Sequence, residues 1–386
     1  MSTESEDIVT KISTNVFYKE FTFHKNDFLS PDGQKELADT VLWIDDLLFV
    51  IQIKERNIKD IKSTVEENRW FTNTVLKKAK DQIKDSIDFF SKYDTINIRN
   101  VRNQTLNIAK ADSSKINKII IYKNSSSLIS EGNKALKFCA SGTVGNIHLF
   151  EIEEYMRICR LLITPAELND YLQFREELFV KHKEVITTSP EQYILGHFFE
   201  TDNTDRIVPE YLHSYTKFQT DTEKFDMSQM LNDFADKILH KNAGDHVEYY
   251  LLIKEIAKLN RNELALFKER YSKMINDVKR NTFSPPYRFV LSRTLCGFVF
   301  VPLQADSAKH WENALLNSID VYKYKRELRK CVGVAAYKNG EFFDLHWGFA
   351  EQDWEYDEEL ENALKQEEGF YGQGKVAQAM RYKSPD

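Results

Sequence analysis

Two periods of apolar residues run through this chain, and each marks a type of element. From Ser5 to Phe17, Ile8, Val9, Ile12 and Val16 recur at helical spacing behind Thr3-x-x-Glu6, a capping-box pattern. An aromatic stretch, Phe21 to Phe28, leads to a turn at Ser30-Pro31-Asp32-Gly33. Leu37 to Ile44 reads as a strand, Asp45-Asp46 as a turn, and Leu47 to Lys54 as a strand apolar on both faces, as in a sheet interior. Trp70 to Tyr93 carries Leu76, Ala79, Ile83, Ile87 and Phe90 on one stripe and reads as a long amphipathic helix. Ile116 to Tyr122 and Ile147 to Ile152 are buried-strand patterns, expected as parallel neighbours. The basic, Asn-rich stretch 94–115 between the helix and these strands is expected as an insertion at the sheet edge.

Glu153 to Leu162 reads as helix. Thr164-Pro165-Ala166-Glu167 then supplies a cap, a proline at the first helical position and a glutamate at the third. The helix it opens runs to about Lys183, with Leu168, Tyr171, Leu172, Arg175 and Phe179 in register. Residues 188–225 give few regular signals, whereas 228–239 and 247–279 read as long helical stretches. Strand-like segments within 288–303, a helix over 307–324 and a hairpin around Asn339-Gly340 follow. The expected organisation is a first α/β domain over 1–185, a helix-rich α+β domain over 186–370, and a flexible tail over 371–386.

Composition narrows the class. The chain has 386 residues, 42% hydrophobic and 29% charged, as in a soluble globular protein. No apolar run approaches the roughly 18 residues that span a bilayer. The four scattered cysteines form no CxxC pair, so a reducing cytoplasm is expected. Net charge is −7, which taken alone disfavours a nucleic-acid partner. Its distribution reverses that: residues 51–150 hold 18 basic and 10 acidic residues, a net of +8. The nine histidines show no HxxxH or HxH spacing, and the Gly-containing stretch 141–145 lacks Walker A spacing.

The basic excess begins directly after the strand ending in Gln52-Ile53-Lys54, and the chemistry concentrates there. A two-residue loop at Asp45-Asp46 pairs Ile44 with Leu47, which places Asp39 opposite Gln52. Opposed residues have Cβ atoms about 4.5–5.5 Å apart, so their oxygens can share one cation. Lys54 falls on the same face as Gln52 because side chains alternate along a strand. QxK occurs three times in the chain, but only at 52–54 does it follow an Asp-bearing strand.

The stretch Glu36-Leu37-Ala38-Asp39, a hydrophobic strand, a short turn and a strand ending in Gln-x-Lys resemble the core of the PD-(D/E)XK nuclease superfamily, in its variant with Gln in place of the acid. The resemblance is sharpest over residues 17–56 and extends to about 163. It implies a restriction-endonuclease-like mixed sheet flanked by helices, with Mg²⁺ or Mn²⁺ held by Asp39 and Gln52 and with Lys54 completing the catalytic set. It also implies an extra acid from the first helix or nearby, for which Glu6, Glu20 and Glu36 are the candidates. Glu36, of opposite strand parity to Asp39, is expected to face away. Gln82 resembles a glutamine that some members place on the following helix, although Ser86 stands where a Tyr would be expected.

The expected function is a metal-dependent endonuclease acting on DNA, with RNA a further possibility, in restriction or phage defence. The alternative is a catalytically silent module of the same fold that binds nucleic acid or protein. Lys77, Lys78, Lys80, Lys84, Arg99, Arg102 and Lys110 are the expected phosphate contacts. A homodimer or a defence partner protein is a further expectation.

Overall fold

The computed structural model describes residues 3–24, 26–57, 59, 61, 63–124, 128–213, 222–237 and 249–366. The expected tail at 371–386 lies outside them. The chain divides into two compact units, Met1–Glu223 with Ser228–Ile238, and Lys224–Met227 with Leu239–Asp386. The division expected near residue 185 falls inside the first unit, because the helix after it is bonded to the one before (below).

In the first unit, helix α1 (Glu4–Val16) opens with the expected capping box, Thr3 accepting from the Glu6 amide. Strand β1 (Thr22–His24) and the hairpin β2 (Asp27–Ser30) and β3 (Gly33–Glu36) follow. Gly33 takes a φ of +105° at the expected turn, a conformation few side chains tolerate. Next come β4 (Thr40–Ile44) and β5 (Leu47–Glu55), and then α2 (Thr64–Trp70), a π-helical stretch Phe71–Lys78, and α3 (Ala79–Lys92). The hairpin β6 (Asn97–Arg99) and β7 (Thr105–Asn107) precedes β8 (Ile116–Lys123), α4 (Glu131–Lys134), β9 (Phe138–Ser141) and β10 (Gly145–Glu151). Helices α5 (Ile152–Leu162), α6 (Pro165–Lys181), α7 (Lys183–Thr188) and α8 (Glu191–Glu200) follow.

The sheet is mixed, in the order β1-β4-β5-β8-β10-β9. β5 pairs antiparallel with β4 and β8 is parallel to β10, as the sequence predicts, and β5 is also parallel to β8. Residues Leu48 to Ile53 of β5 are all at most 5% exposed, which accounts for their lack of alternation. One face packs Leu48, Val50 and Ile120 against Phe71, Val75, Ala79 and Ile83 of the long helical segment. The other turns Phe49 toward Phe17, their rings 6.1 Å apart, beneath α1. The 94–115 insertion does sit at the sheet edge: Asn100 bridges to Phe23 of the edge strand β1.

Two local findings depart from the apolar pattern. The fully buried line of α1 is Ser5, Val9 and Ser13, while Ile8, Ile12 and Val16 are half-buried. Small serines let the helix sit close to the sheet where larger residues would hold it off. The π-helical stretch has a similar origin. Phe71, Val75, Ala79 and Ile83 are fully buried at a strict spacing of four. On an α-helix each such step drifts by about 40°, and the wider π winding restores these residues to one face.

The second unit is α+β. Its sheet has the order β11 (Tyr287–Val290), β12 (Cys296–Pro302), β13 (Lys330–Asn339), β14 (Phe342–Glu351), with β12 and β13 parallel. The expected Asn339-Gly340 hairpin joins β13 to β14. Phe267 of helix Arg261–Arg280 meets Phe298 and Phe300 edge-on. Leu315 and Ile319 of helix Trp311–Lys325 pack with Val299, Val301 and Ala335. A Cβ on Gly333 would lie 2.6 Å from Ile319, so that helix approaches as closely as backbone allows. The single helical stretch expected over 247–279 is two helices, Tyr250–Ala257 and Arg261–Arg280, separated by an Asn260/Glu263 capping box. Among the described residues no helix is long and apolar enough to cross a membrane.

Candidate active site

The β4–β5 hairpin has the expected register: Ile44 pairs with Leu47 and Thr40 with Ile51. Asp45 holds a φ of +55°, a left-handed conformation that Asp tolerates better than most residues and that permits the tight turn. The strand begins at Thr40, one residue after Asp39, which lies in a bend. That bend is fixed from both sides. The Asn26 side-chain amide donates to Ala38 O at 2.9 Å, and Ser86 of α3 donates its hydroxyl proton to Leu37 O. Ser86, found where the resemblance would place a Tyr, therefore anchors the strap that carries Asp39.

The three side chains converge. Lys54 Nζ stands 3.2 Å from Asp39 Oδ2, 3.2 Å from Gln52 Oε1 and 3.0 Å from Ile53 O. The Ile53 amide donates to the same Asp39 oxygen at 2.5 Å. Because an ammonium only donates, the Gln52 atom facing it must be its carbonyl oxygen. Gln52 is 3% exposed and Lys54 9%, so each polar group depends on the others for the hydrogen bonds that water would give. Three oxygens thus surround one positive centre, the donor chemistry a hard divalent cation prefers. Among the described residues, no three His, Cys, Asp or Glu side chains are grouped to hold a metal. An ion here would rest on Asp39, amide oxygens and groups from a substrate.

The remaining candidates separate. Glu36 is exposed, and partial burial, then the nearby Asp39 carboxylate, raise its pKa. It feels Lys54 and Glu6 as well, so although it pairs with Asp27 in the β2–β3 hairpin it shares the electrostatic neighbourhood of the site. Glu6 caps α1. Glu20 is fully buried and ion-paired with Arg102 at 2.9 Å. Arg102 also donates to Asp236 and to Asn232 O. The pair engages both residues and directs Arg102 inward. Lys77, Lys78, Lys84, Arg99 and Lys110 are exposed and Lys80 is half-buried. Gln82 Oε1 is buried, with no hydrogen-bond partner among the described residues.

Sequence reasoning missed the cleft itself. A cavity of about 320 Å³ is lined by Glu6, Asp7, Thr10, Lys11 and Thr14 of α1, with His24, Asp39 and Val101. None of the expected basic residues lines it. The signal was present: 6, 7, 10, 11 and 14 fall on one helical face, which reads from sequence as an ordinary solvated surface.

Comparison with protein-family models, with curated proteins and with solved structures found no match to this chain.

Proposed function

We propose that the first unit is a metal-dependent nuclease with a restriction-endonuclease-like core, hydrolysing phosphodiester bonds in DNA, with RNA the other candidate substrate. The convergence of Asp39, Gln52 and Lys54 at one end of two paired strands carries this reading. The order of a mixed sheet with β5 at its centre supports it, as does the resemblance to PD-(D/E)XK enzymes in the pattern D…QxK. Asp39 and Gln52 Oε1 are the groups that would hold Mg²⁺ or Mn²⁺. When bound, such an ion supplies Lewis-acid stabilisation of the phosphate and lowers the pKa of a coordinated water. Lys54 brings positive charge to the phosphate as it becomes pentavalent and orients the attacking water. The water oxygen bonds to phosphorus, the P–O bond to the leaving sugar breaks, and one proton passes from water to the leaving oxygen. A setting in restriction or phage defence follows from the resemblance alone.

One observation favours a second reading, a silent module that binds nucleic acid or protein. Lys54 already neutralises Asp39, and no cluster of three ligating side chains is present among the described residues. Incubating DNA and RNA with the protein in Mg²⁺, Mn²⁺ or EDTA separates the two. Metal-dependent products that vanish in Asp39→Ala support the nuclease. Intact substrates under every condition leave the silent module.

A further inference from the structure

The cleft beside Asp39 has a polarity that the catalytic trio does not use. Its α1 wall carries carboxylates at Glu6 and Asp7 and, one turn on, Thr10 and Lys11; a turn spans about 5.4 Å. Thr14 returns its hydroxyl proton to Lys11 O at 2.9 Å, so Thr10 Oγ1 and Lys11 Nζ are the donors this wall offers. Lys11 is exposed. The Glu6 and Asp7 carboxylates repel a bare phosphate at their end of this wall. The Lys11 end attracts a phosphate.

Size restricts what can enter. A cavity of about 320 Å³ matches the lower end of small-ligand sites, roughly 300–1,000 Å³. A specific duplex interface buries on the order of 1,000–2,500 Å² of protein, which a cleft of this size does not offer. A single strand, by contrast, tracks along a narrow groove by its backbone. We infer that this cleft receives one unpaired phosphodiester strand, with Lys11 and Thr10 gripping the phosphate next to the one presented to Asp39. This rests on the nuclease reading for the role of Asp39, but the grip on the strand can be measured without cleavage.

The test uses the full chain with fluorescein-labelled oligo-dT and oligo-U single strands and a blunt DNA duplex, followed by anisotropy and by product gels in Mg²⁺. The variants are Lys11→Ala, Lys11→Arg, and Lys183→Ala as a control at an exposed lysine of α7, outside the cleft. The expected result is tighter binding of single strands than of duplex. Lys11→Ala should weaken single-strand binding and reduce its salt slope by about 0.7, raising KM while leaving kcat in place. Lys11→Arg should restore affinity and Lys183→Ala should leave it unchanged. Duplex bound as tightly as single strand, or affinity indifferent to Lys11→Ala, overturns the inference. Cleavage with a Lys11-independent KM overturns the cleft assignment and keeps the nuclease; Lys11-dependent binding without cleavage does the reverse. No binding to any oligonucleotide overturns both. The DNA and RNA arms identify the sugar.

Discussion

Two of the buried charge clusters in the first unit are built on opposite principles. Around Arg175 every group is answered. Its guanidinium donates to Glu191 Oε1 at 2.8 Å, Lys137 O at 3.0 Å and His148 Nδ1 at 3.1 Å, and it lies 4.1 Å from the centre of the Phe150 ring. Glu191 also meets Lys137 Nζ at 3.3 Å and the Tyr171 hydroxyl. Arg175, Tyr171, Glu191 and His148 are all under 5% exposed, so this network ties α6 and α8 to the β9–β10 edge. Around Asp39 the bonds are fewer and the carboxylate borders a cleft. A saturated cluster can only hold structure together; one whose carboxylate faces a cavity can exchange its cation for another. That contrast, more than burial or charge, separates a brace from a reaction centre.

The largest effect that would test the contrast is on chemistry. Asp39→Ala should reduce metal-dependent cleavage to background while the circular dichroism spectrum stays native. Lys54→Ala should lose cleavage but keep binding, since it acts on the transition state. Cleavage surviving in Asp39→Ala would show that the reaction centre lies elsewhere. Next comes Arg175→Ala, which leaves Glu191 buried beside fewer cations and should lower stability by about 3–5 kcal/mol, read from the denaturant midpoint. Specific activity of the folded fraction should not change; if it falls in proportion, the two clusters are not separable.

Swaps at Gln52 sharpen the site half of the comparison. Gln52→Glu adds a charge and should retain activity or shift its metal requirement, whereas Gln52→Ala should lose most of it. Metal titrations followed by product formation distinguish them, and equal activity in both would remove Gln52 from the site.

The smallest expected effect is the acid response of the brace. Burial, then the Arg175 charge, hold His148 well below the usual histidine range. The unfolded chain therefore takes up a proton below pH ~6.5 that the folded one refuses. Burial alone would raise Glu191, but Arg175 and Lys137 outweigh it and lower its pKa. Its contribution is present above the ordinary glutamate pKa and is lost as pH falls through the lowered value. Both signs agree, so the thermal midpoint should decline from pH 6.5 downward and more steeply below about 4.5. A midpoint flat from pH 7.5 to 4 would contradict this account, and Arg175→Ala should have a shallower profile than wild type.

What could be read from the sequence follows the range of the interactions involved. The Asp39–Gln52–Lys54 geometry was legible because a two-residue turn and strand alternation are local rules that propagate along a hairpin. Arg175 was legible in position only: it stood on the apolar stripe of α6, and a charge there signals a buried partner without naming it. Glu191, sixteen residues on, opens a helix that composition did not reveal; Pro190 at its N-cap was the available cue. The Glu20–Arg102 pair joins segments 82 residues apart, and no pattern within either points to the other. Buried serines on α1 inverted the usual reading of an amphipathic stripe.

The π-helical stretch between α2 and α3 makes chain length itself a control. Deleting one residue within Phe71–Lys78 would let ordinary α winding resume there. That change of winding would offset the lost residue, whereas a deletion within 79–85, where the winding is already α, would turn everything C-terminal to it by about 100° relative to Thr64–Trp70. Ser86 would swing off Leu37 O and the Asp39 strap would lose its clamp, with no reacting group altered. The number of residues in α3 ahead of Ser86 thus acts as a phase setting, so related chains can be expected to vary in side chains along this helix far more readily than in the number of residues it contains.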